Sequence, residues 1–374
     1  MRSSPRIRAA LADLAAARAE AAFARSRSAP QLSLNGFAAQ SSMPNVLQSS
    51  MGVEPRALVI AAEGTFADAN VTLMAPIFVG TVFSGMTRAA LAAERAAAAE
   101  LSGVRADVAL STREAYLRAL YGAALVEAQS ARVKAAEAMA SIARARMEAG
   151  TGIEASLLRA EAEAADVRRE LSKMETERQR SVLDLVTAMG AQAAQEPNLT
   201  GALTEISVQG TLEEKLTEAL SRRGELLAAR SRVAEAEGRL SSAKGAFAPQ
   251  VYGFAMGDVF RPADAMGRSS GGTVGITVSL PVFDGGMRRA EVVRAEAMAE
   301  RARAEARTME LQVENEVRGA WLELVNASRS ISSAKAAVAA AQAAYDVVAV
   351  RVESGKSILL EQIDAAAALA KART

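Results

Sequence analysis

The chain has 374 residues; half are hydrophobic, yet only 4% are aromatic and 87 are Ala. Few bulky side chains remain for ordinary globular cores, and Ala-rich, charge-rich sequence with little else specifies long helices packed at close range. Cys and His are both absent and the net charge is +1, which excludes disulfides, thiol and imidazole chemistry and His/Cys metal sites, and offers no basic surface for nucleic acid.

Residues 1–29 carry six Arg against Asp13 and Glu20 and read as a first amphipathic helix without the apolar segment of a secretion signal. Two short zones then hold most of the prolines and eight of the nine Phe residues: 30–83 and 247–283. Strands are predicted there. In 273–283, Val274, Ile276, Val278, Leu280 and Val282 share one face, while Thr273, Gly275, Thr277, Ser279 and Pro281 share the other, a period of 2. Residues 70–78 repeat the pattern with Val71, Leu73, Ala75 and Ile77, and 31–38 and 250–256 read as shorter partners across loops at 39–69 and 257–272. No apolar run reaches the ~18 residues of a spanning helix, so any membrane insertion would use strands.

Proline is absent from 77–196, 198–248 and 282 onward, leaving those stretches free to be helical. Helices are predicted from Thr87 to Ala149 and from Met287 to Val352, roughly 90 Å each at ~1.5 Å per residue. In the second, Val317, Leu324, Ile331, Val338, Tyr345 and Val352 recur every seven residues beside a seam of Ala320, Ala327, Ala334, Ala341 and Val348, a coiled-coil pattern. Gly150 and Gly355 end these runs, as glycine does at a left-handed helix cap. New helices begin with Glu154 and Glu361, acids suited to a helix N-terminus.

The order is duplicated. At an offset of 205, Pro76, Phe78, Gly80 and Tyr116 match Pro281, Phe283, Gly285 and Trp321, and Arg146 to Gly150 match Arg351 to Gly355; Pro30-Gln31 matches Pro249-Gln250 at 219. The expected segments are a first helix over 1–29, a strand pair within 30–80, a long helical hairpin over 86–190, a linker over 191–212, a helix over 213–248, a second strand pair within 249–285 and a second long hairpin over 286–374.

The strings APQLSL and APQVYG, MAPIFVG and SLPVFDGG, and RMEAGTGIEASLLRAEAE and RVESGKSILLEQIDA, in duplicated order, resemble the TolC-like outer membrane efflux protein family. The resemblance spans almost the whole chain. It implies a mainly α fold with a small β part: long coiled-coil hairpins in two duplicated halves, each with two transmembrane strands. Three copies would share a 12-stranded outer membrane barrel continued by a periplasmic α-barrel. It implies a passive exit duct with no cofactor and no catalysis, lying in outer membrane lipid and served by a periplasmic adaptor and an inner-membrane pump. Against the family pattern the chain is expected to be truncated at both ends, lacking a signal and stopping 19 residues past Gly355. A coiled-coil scaffold without a pore and a fragment that does not assemble are the alternatives.

The resemblance also assigns sites. Glu361 and Asp364, three apart on one helix face, would ring the periplasmic aperture, with Glu154 as the first-tip acid, although Ser156 stands where the family often has an acid. Arg146 and Arg351 would flank the tips as surface charges or as latches for these acids. Gly150 and Gly355 would form the tip turns, and Pro76, Gly80, Pro281 and Gly285 the strand-end turns. No nucleophile elbow or phosphate-binding glycine loop accompanies them.

Overall fold

The computed structural model describes residues 4–41, 45–47, 59–61, 64–190, 197–206, 209–261 and 269–374. The elements in chain order are α1 (Pro5–Ser26), β1 (Gln31–Ser41), β2 (Asn45–Leu47), β3 (Val59–Ala61), β4 (Gly64–Phe78), α2 (Val82–Glu148), α3 (Glu154–Met189), α4 (Leu212–Arg222), α5 (Gly224–Gly245), β5 (Gln250–Arg261), β6 (Ser269–Ser279), α6 (Met287–Glu353) and α7 (Leu359–Arg373). The chain divides into two compact units, one of residues 1–12, 100–226 and 310–374, the other of 13–99 and 227–309.

The strand-bearing unit holds one antiparallel sheet in the order β1-β4-β5-β6, with β2 and β3 pairing separately. Register fixes its faces. Leu34 opposes Val71, Val71 opposes Gly257, Leu73 opposes Ala255 and Ala255 opposes Val274, so the alternating residues of all four strands fall on one face. The helices of this unit flank one another in the same order. Thr87 Oγ1 donates to the Ala24 carbonyl (3.3 Å) and Thr81 Oγ1 to that of Ser241 (2.6 Å), tying α2 to α1 and to α5. Arg303–Glu237 (2.7 Å) and Lys244–Glu296 (3.0 Å) tie α5 to α6.

The contact of α2 with α5 is set by glycine. A Cβ on Gly85 would lie 2.5 Å from the Ser242 nitrogen, one on Gly238 2.6 Å from the Ala89 nitrogen and one on Gly245 2.7 Å from the Thr81 nitrogen. Small residues at four-residue spacing let the two backbones meet directly.

The second unit is helical. Ala115, Ala119, Val182 and Leu185 form a core between α2 and α3, with Tyr116 and Leu199 against it. Ala143, Ala160 and Ile363 form another with Met139 and Leu157. Arg132–Glu163 (2.8 Å) and Arg168–Glu137 (2.6 Å) bridge α2 and α3. Residues 197–206 run along this unit, where Tyr116 Oη donates to the Thr200 carbonyl and Lys335 pairs with Glu205 at 2.7 Å.

Several expectations need correction. The strands are longer than the alternation suggested: Gly257–Arg261 and Ser269–Gly272 belong to β5 and β6, not to a loop. At its far end β6 stops at Ser279, so Leu280 to Phe283 lie outside it; Pro281 has no N–H for the ladder. The helix expected over 213–248 is two, because Arg223 leaves the helical region (φ −61°, ψ 122°) between α4 and α5. A capping box starts α4: Thr211 Oγ1 accepts from the Glu214 N–H and Glu214 accepts from that of Thr211. In α6 the seam residues Ala320, Ala327 and Ala334 are exposed in the single chain. The predicted linker over 191–212 lies partly outside the described residues.

Candidate functional site

Three features carry functional geometry. The first is the face of the sheet. Leu32, Leu34, Val71, Leu73, Ile77, Val274, Ile276 and Val278 all stand on it and all are exposed, Leu34 by 76% and Val274 by 84%. A sheet face this apolar is not stable against water. The opposite face is small or polar along β6 and β1: Thr273, Thr277, Ser33 and Asn35, with Asn35 Nδ2 donating to Asn70 Oδ1 across the ladder (3.2 Å). Phe254 covers Gly275 on that face, 2.8 Å from where a Cβ would be. Among the described residues, one long edge of β1 and one of β6 have no partner strand.

The second is the junction between strands and helices. Gly80 and Gly285, the expected turn positions, both have positive φ (56° and 66°). Pro76 sits at a register shift between β4 and β5. In the second half Asp284 and Arg288 close the turn: Arg288 Nε meets Asp284 Oδ2 at 2.6 Å, and Arg288 also donates to the carbonyls of Pro281 (2.6 Å) and Ala246 (3.3 Å). The hydrogen bond from Arg288, reinforced by the N–H groups of Arg288 and Gly286, holds the Asp284 carboxyl below its ordinary range despite partial burial. Arg288 also stacks over Phe247 at 5.1 Å, while in the first half Arg27 stacks over Phe83 at 5.8 Å. The two halves thus place a cation over a ring at the same junction with the contributing helices exchanged.

The third is the pair of hairpin tips. Gly150 (φ 73°) and Gly355 (φ 71°) are both left-handed. The Gly150 N–H donates to Met147 and that of Thr151 to Arg146; Gly355 donates to Val352 and Lys356 to Arg351. Each turn is therefore a Schellman cap, and the two are copies of one another. Ile153 and Ile358 follow as equivalent N-cap residues without a side-chain cap, 70% and 58% exposed.

The predicted acids lie just beyond. Glu154 opens α3 and is exposed. Glu361 accepts from Ser357 Oγ, and Asp364 accepts from Arg159 Nη2 at 3.0 Å. Arg159, rather than Arg146 or Arg351, is thus the counter-charge of Asp364. Sequence reasoning missed it, although it stands 205 residues before Asp364, the repeat offset itself. Arg288 was missed too; its signal was an Asp four residues upstream. Among the described residues no group of three or more His, Cys, Asp or Glu could hold a metal, and no helix is long and apolar enough to cross a membrane.

This geometry matches known proteins. The sequence model of outer membrane efflux proteins covers residues 1–191 and 216–374. Outer membrane efflux protein BepC of Brucella suis biovar 1 (strain 1330) is 25% identical over 244 residues, 60% of this chain and 49% of that protein. The chain thus spans about half the length of this curated relative. The outer membrane protein VceC of Vibrio cholerae superposes with a TM-score of 0.82 at 22% identity, covering 99% of this chain and 88% of that one. The CmeC outer membrane channel of Campylobacter jejuni superposes with 0.82 at 13% identity, covering 98% and 78%. Fold, duplication and family match agree, and the chain belongs to the outer membrane efflux protein family.

Proposed function

We propose that this chain is one subunit of a passive outer membrane exit duct. The observation that supports this most is the sheet: an exposed, largely apolar face combined with two edges that have no partner strand among the described residues. In lipid every backbone group needs an internal partner, so an open sheet must close on itself or on copies. The duplication suggests how. In the order β1-β4-β5-β6, the junction of β4 with β5 joins the first half to the second. Repeating that junction between β6 and the β1 of another copy would close the sheet. Three copies of the four-stranded sheet make 12 strands, within the range of outer membrane barrels. The apolar face then meets lipid and the polar face a water-filled lumen.

The helices would extend into the periplasm as a tube, with the tips at its far end. There Glu154, Glu361 and Asp364 would line the aperture, and a narrow ring of carboxylates favours cations by focusing their field. The exposed Ile153 and Ile358 at the tips suit docking of a periplasmic adaptor. Transport energy would come from an inner-membrane pump of a tripartite efflux or type I secretion system, since a duct needs no catalysis or cofactor.

Single-channel recording in planar bilayers tests this. Discrete cation-selective steps that weaken with Glu361→Gln and Asp364→Asn support the duct and its aperture. Steps that ignore both changes keep the duct and remove the aperture assignment. A folded helical sample that yields no steps and no heat-dissociable trimer refutes the duct in favour of a scaffold.

A further inference from the structure

The four segments that join the sheet to its helices share one composition. Counted over ten residues from each strand end, they are 21–30, 79–88, 240–249 and 280–289. Each holds one Phe: Phe23, Phe83, Phe247 and Phe283. Each also holds one or two cations: Arg25 and Arg27, Arg88, Lys244, and Arg288 and Arg289. Against these six cations stands one acid, Asp284, although the whole chain has a net charge of only +1. All four segments belong to the strand-bearing unit.

Local stability accounts for part of this. Arg288 locks Asp284, Lys244 pairs with Glu296, and Arg25 suits the C-terminal end of α1. Arg289 has no such reason, because in the first turn of α6 a cation opposes the helix dipole. It is exposed, as are Arg25, Arg27 and Arg88, and among the described residues no carboxylate pairs with any of the four. Phe23, Phe247 and Phe283 are exposed as well. The apolar face of the sheet ends at Leu32, Ile77 and Val278, directly beside these segments. Helical side chains lean toward the start of their helix, so Arg88, Arg288 and Arg289 lean back toward the sheet.

Exposed rings and unpaired cations at the margin of an apolar surface fit the headgroup layer of a bilayer, where rings lodge and long basic side chains reach phosphates. We infer that this junction binds phospholipids of net negative charge, such as phosphatidylglycerol, in preference to zwitterionic ones. A zwitterionic headgroup brings its own cation to its phosphate; an anionic one leaves the phosphate to the arginines, as a charge-assisted hydrogen bond requires. The inference rests on the duct reading and adds a lipid selectivity to it.

Spin-labelled phosphatidylglycerol and phosphatidylcholine test it, with the full chain in phosphatidylcholine vesicles at low salt. Electron spin resonance reads the lipid immobilised at the protein surface. Phosphatidylglycerol should be held about fivefold more strongly, the size expected for one cation at a membrane surface, and about 1 M salt should weaken the preference. Arg25→Gln with Arg289→Gln, both exposed and unpaired among the described residues, should at least halve it. Arg318→Gln with Arg329→Gln removes the same charge from the helical unit and should leave it unchanged. Equal retention of the two lipids overturns the proposal, as does a preference that survives the Arg25 and Arg289 changes. Loss of the preference when phosphate replaces chloride at equal ionic strength overturns it too, in favour of a soluble phosphate. Ion conductance of the same vesicles separates the two readings. Conducting vesicles without lipid preference overturn this site alone, and a chain that does not enter the vesicles overturns both.

Discussion

Substituting Gly238 and Gly319 by Ala, one at a time, puts the helix seam to a controlled test. Both are interior helical positions, on α5 and α6. In the absence of contacts, Gly→Ala in a helix gains roughly 0.5–1 kcal/mol, because the backbone loses less entropy on folding. At Gly319 nothing lies within 4 Å of the added carbon, so the full gain is expected. At Gly238 the carbon would sit 2.6 Å from the Ala89 nitrogen, 2.9 Å from its Cα and 3.0 Å from its Cβ. Backbone cannot rotate away as a side-chain tip can. The helices must part by roughly 1 Å, a gap that forfeits a quarter to half of each dispersion contact. The same seam holds Gly85 and Gly245 at 2.5 and 2.7 Å, so the loss spreads along it. Overpacking of this kind costs about 1–3 kcal/mol. Subtracting the propensity gain leaves Gly238→Ala destabilised by up to about 2.5 kcal/mol, and the two variants separated by the overpacking cost itself, about 1–3 kcal/mol. Urea midpoints of the monomeric chain in detergent, read by circular dichroism, would measure the difference. Equal stabilisation of both variants would show that the α2–α5 approach is not set by backbone contact.

Other expectations are as direct. Thr211→Ala removes the capping box of α4 and should cost about 1 kcal/mol, seen as faster amide exchange at Glu214, whose N–H loses its acceptor. The Asp284 carboxyl is held low by Arg288, so its contribution to stability is fully present above ~4 and is lost as pH falls through the lower, folded value. Denaturation midpoints should drop with acidification below ~4, and Asp284→Asn should flatten that part of the profile; an unchanged profile would remove the Arg288 lock. Arg159→Ala frees Asp364, whose pair with it is more than half exposed. Stability should change by less than about 1 kcal/mol, while single-channel selectivity should move toward cations. Unaltered selectivity would place Asp364 away from the ion path.

The repeat was legible because both punctuation and pattern recur. Proline, Phe and Gly80/Gly285 mark the junctions, and period 2 in 70–78 and 273–279 gives the exposed apolar face directly. Strand ends were less legible. Alternation in β5 and β6 dissolves into Gly257, Gly271 and Gly272, where pairing in the ladder, not side-chain polarity, continues the strand. The break at Arg223 was hidden because nothing local forbids helix there; Gly224 beside it is the only hint. Arg159 was illegible for another reason. An exposed Arg on a helix looks like any other until the second tip brings Asp364 within 3.0 Å. The seam of α2 with α5 was equally hidden, since Gly85 and Gly238 read as flaws in helices until their closeness gives them a role.

The exchanged cation and ring at the two junctions restrict how the halves can recombine. Arg27 directly follows α1 and Phe83 lies in α2, whereas Phe247 follows α5 and Arg288 lies in α6. A crossover inside a strand pair would join α1 to α6, setting Arg27 against Arg288, and α5 to α2, leaving Phe247 and Phe83 with no cation. Crossovers in the hairpins or the 191–212 segment keep each pair whole. The halves thus behave as helix–strand–strand–helix blocks, and shuffled genes of this family should yield folded protein only when their breakpoints respect those blocks.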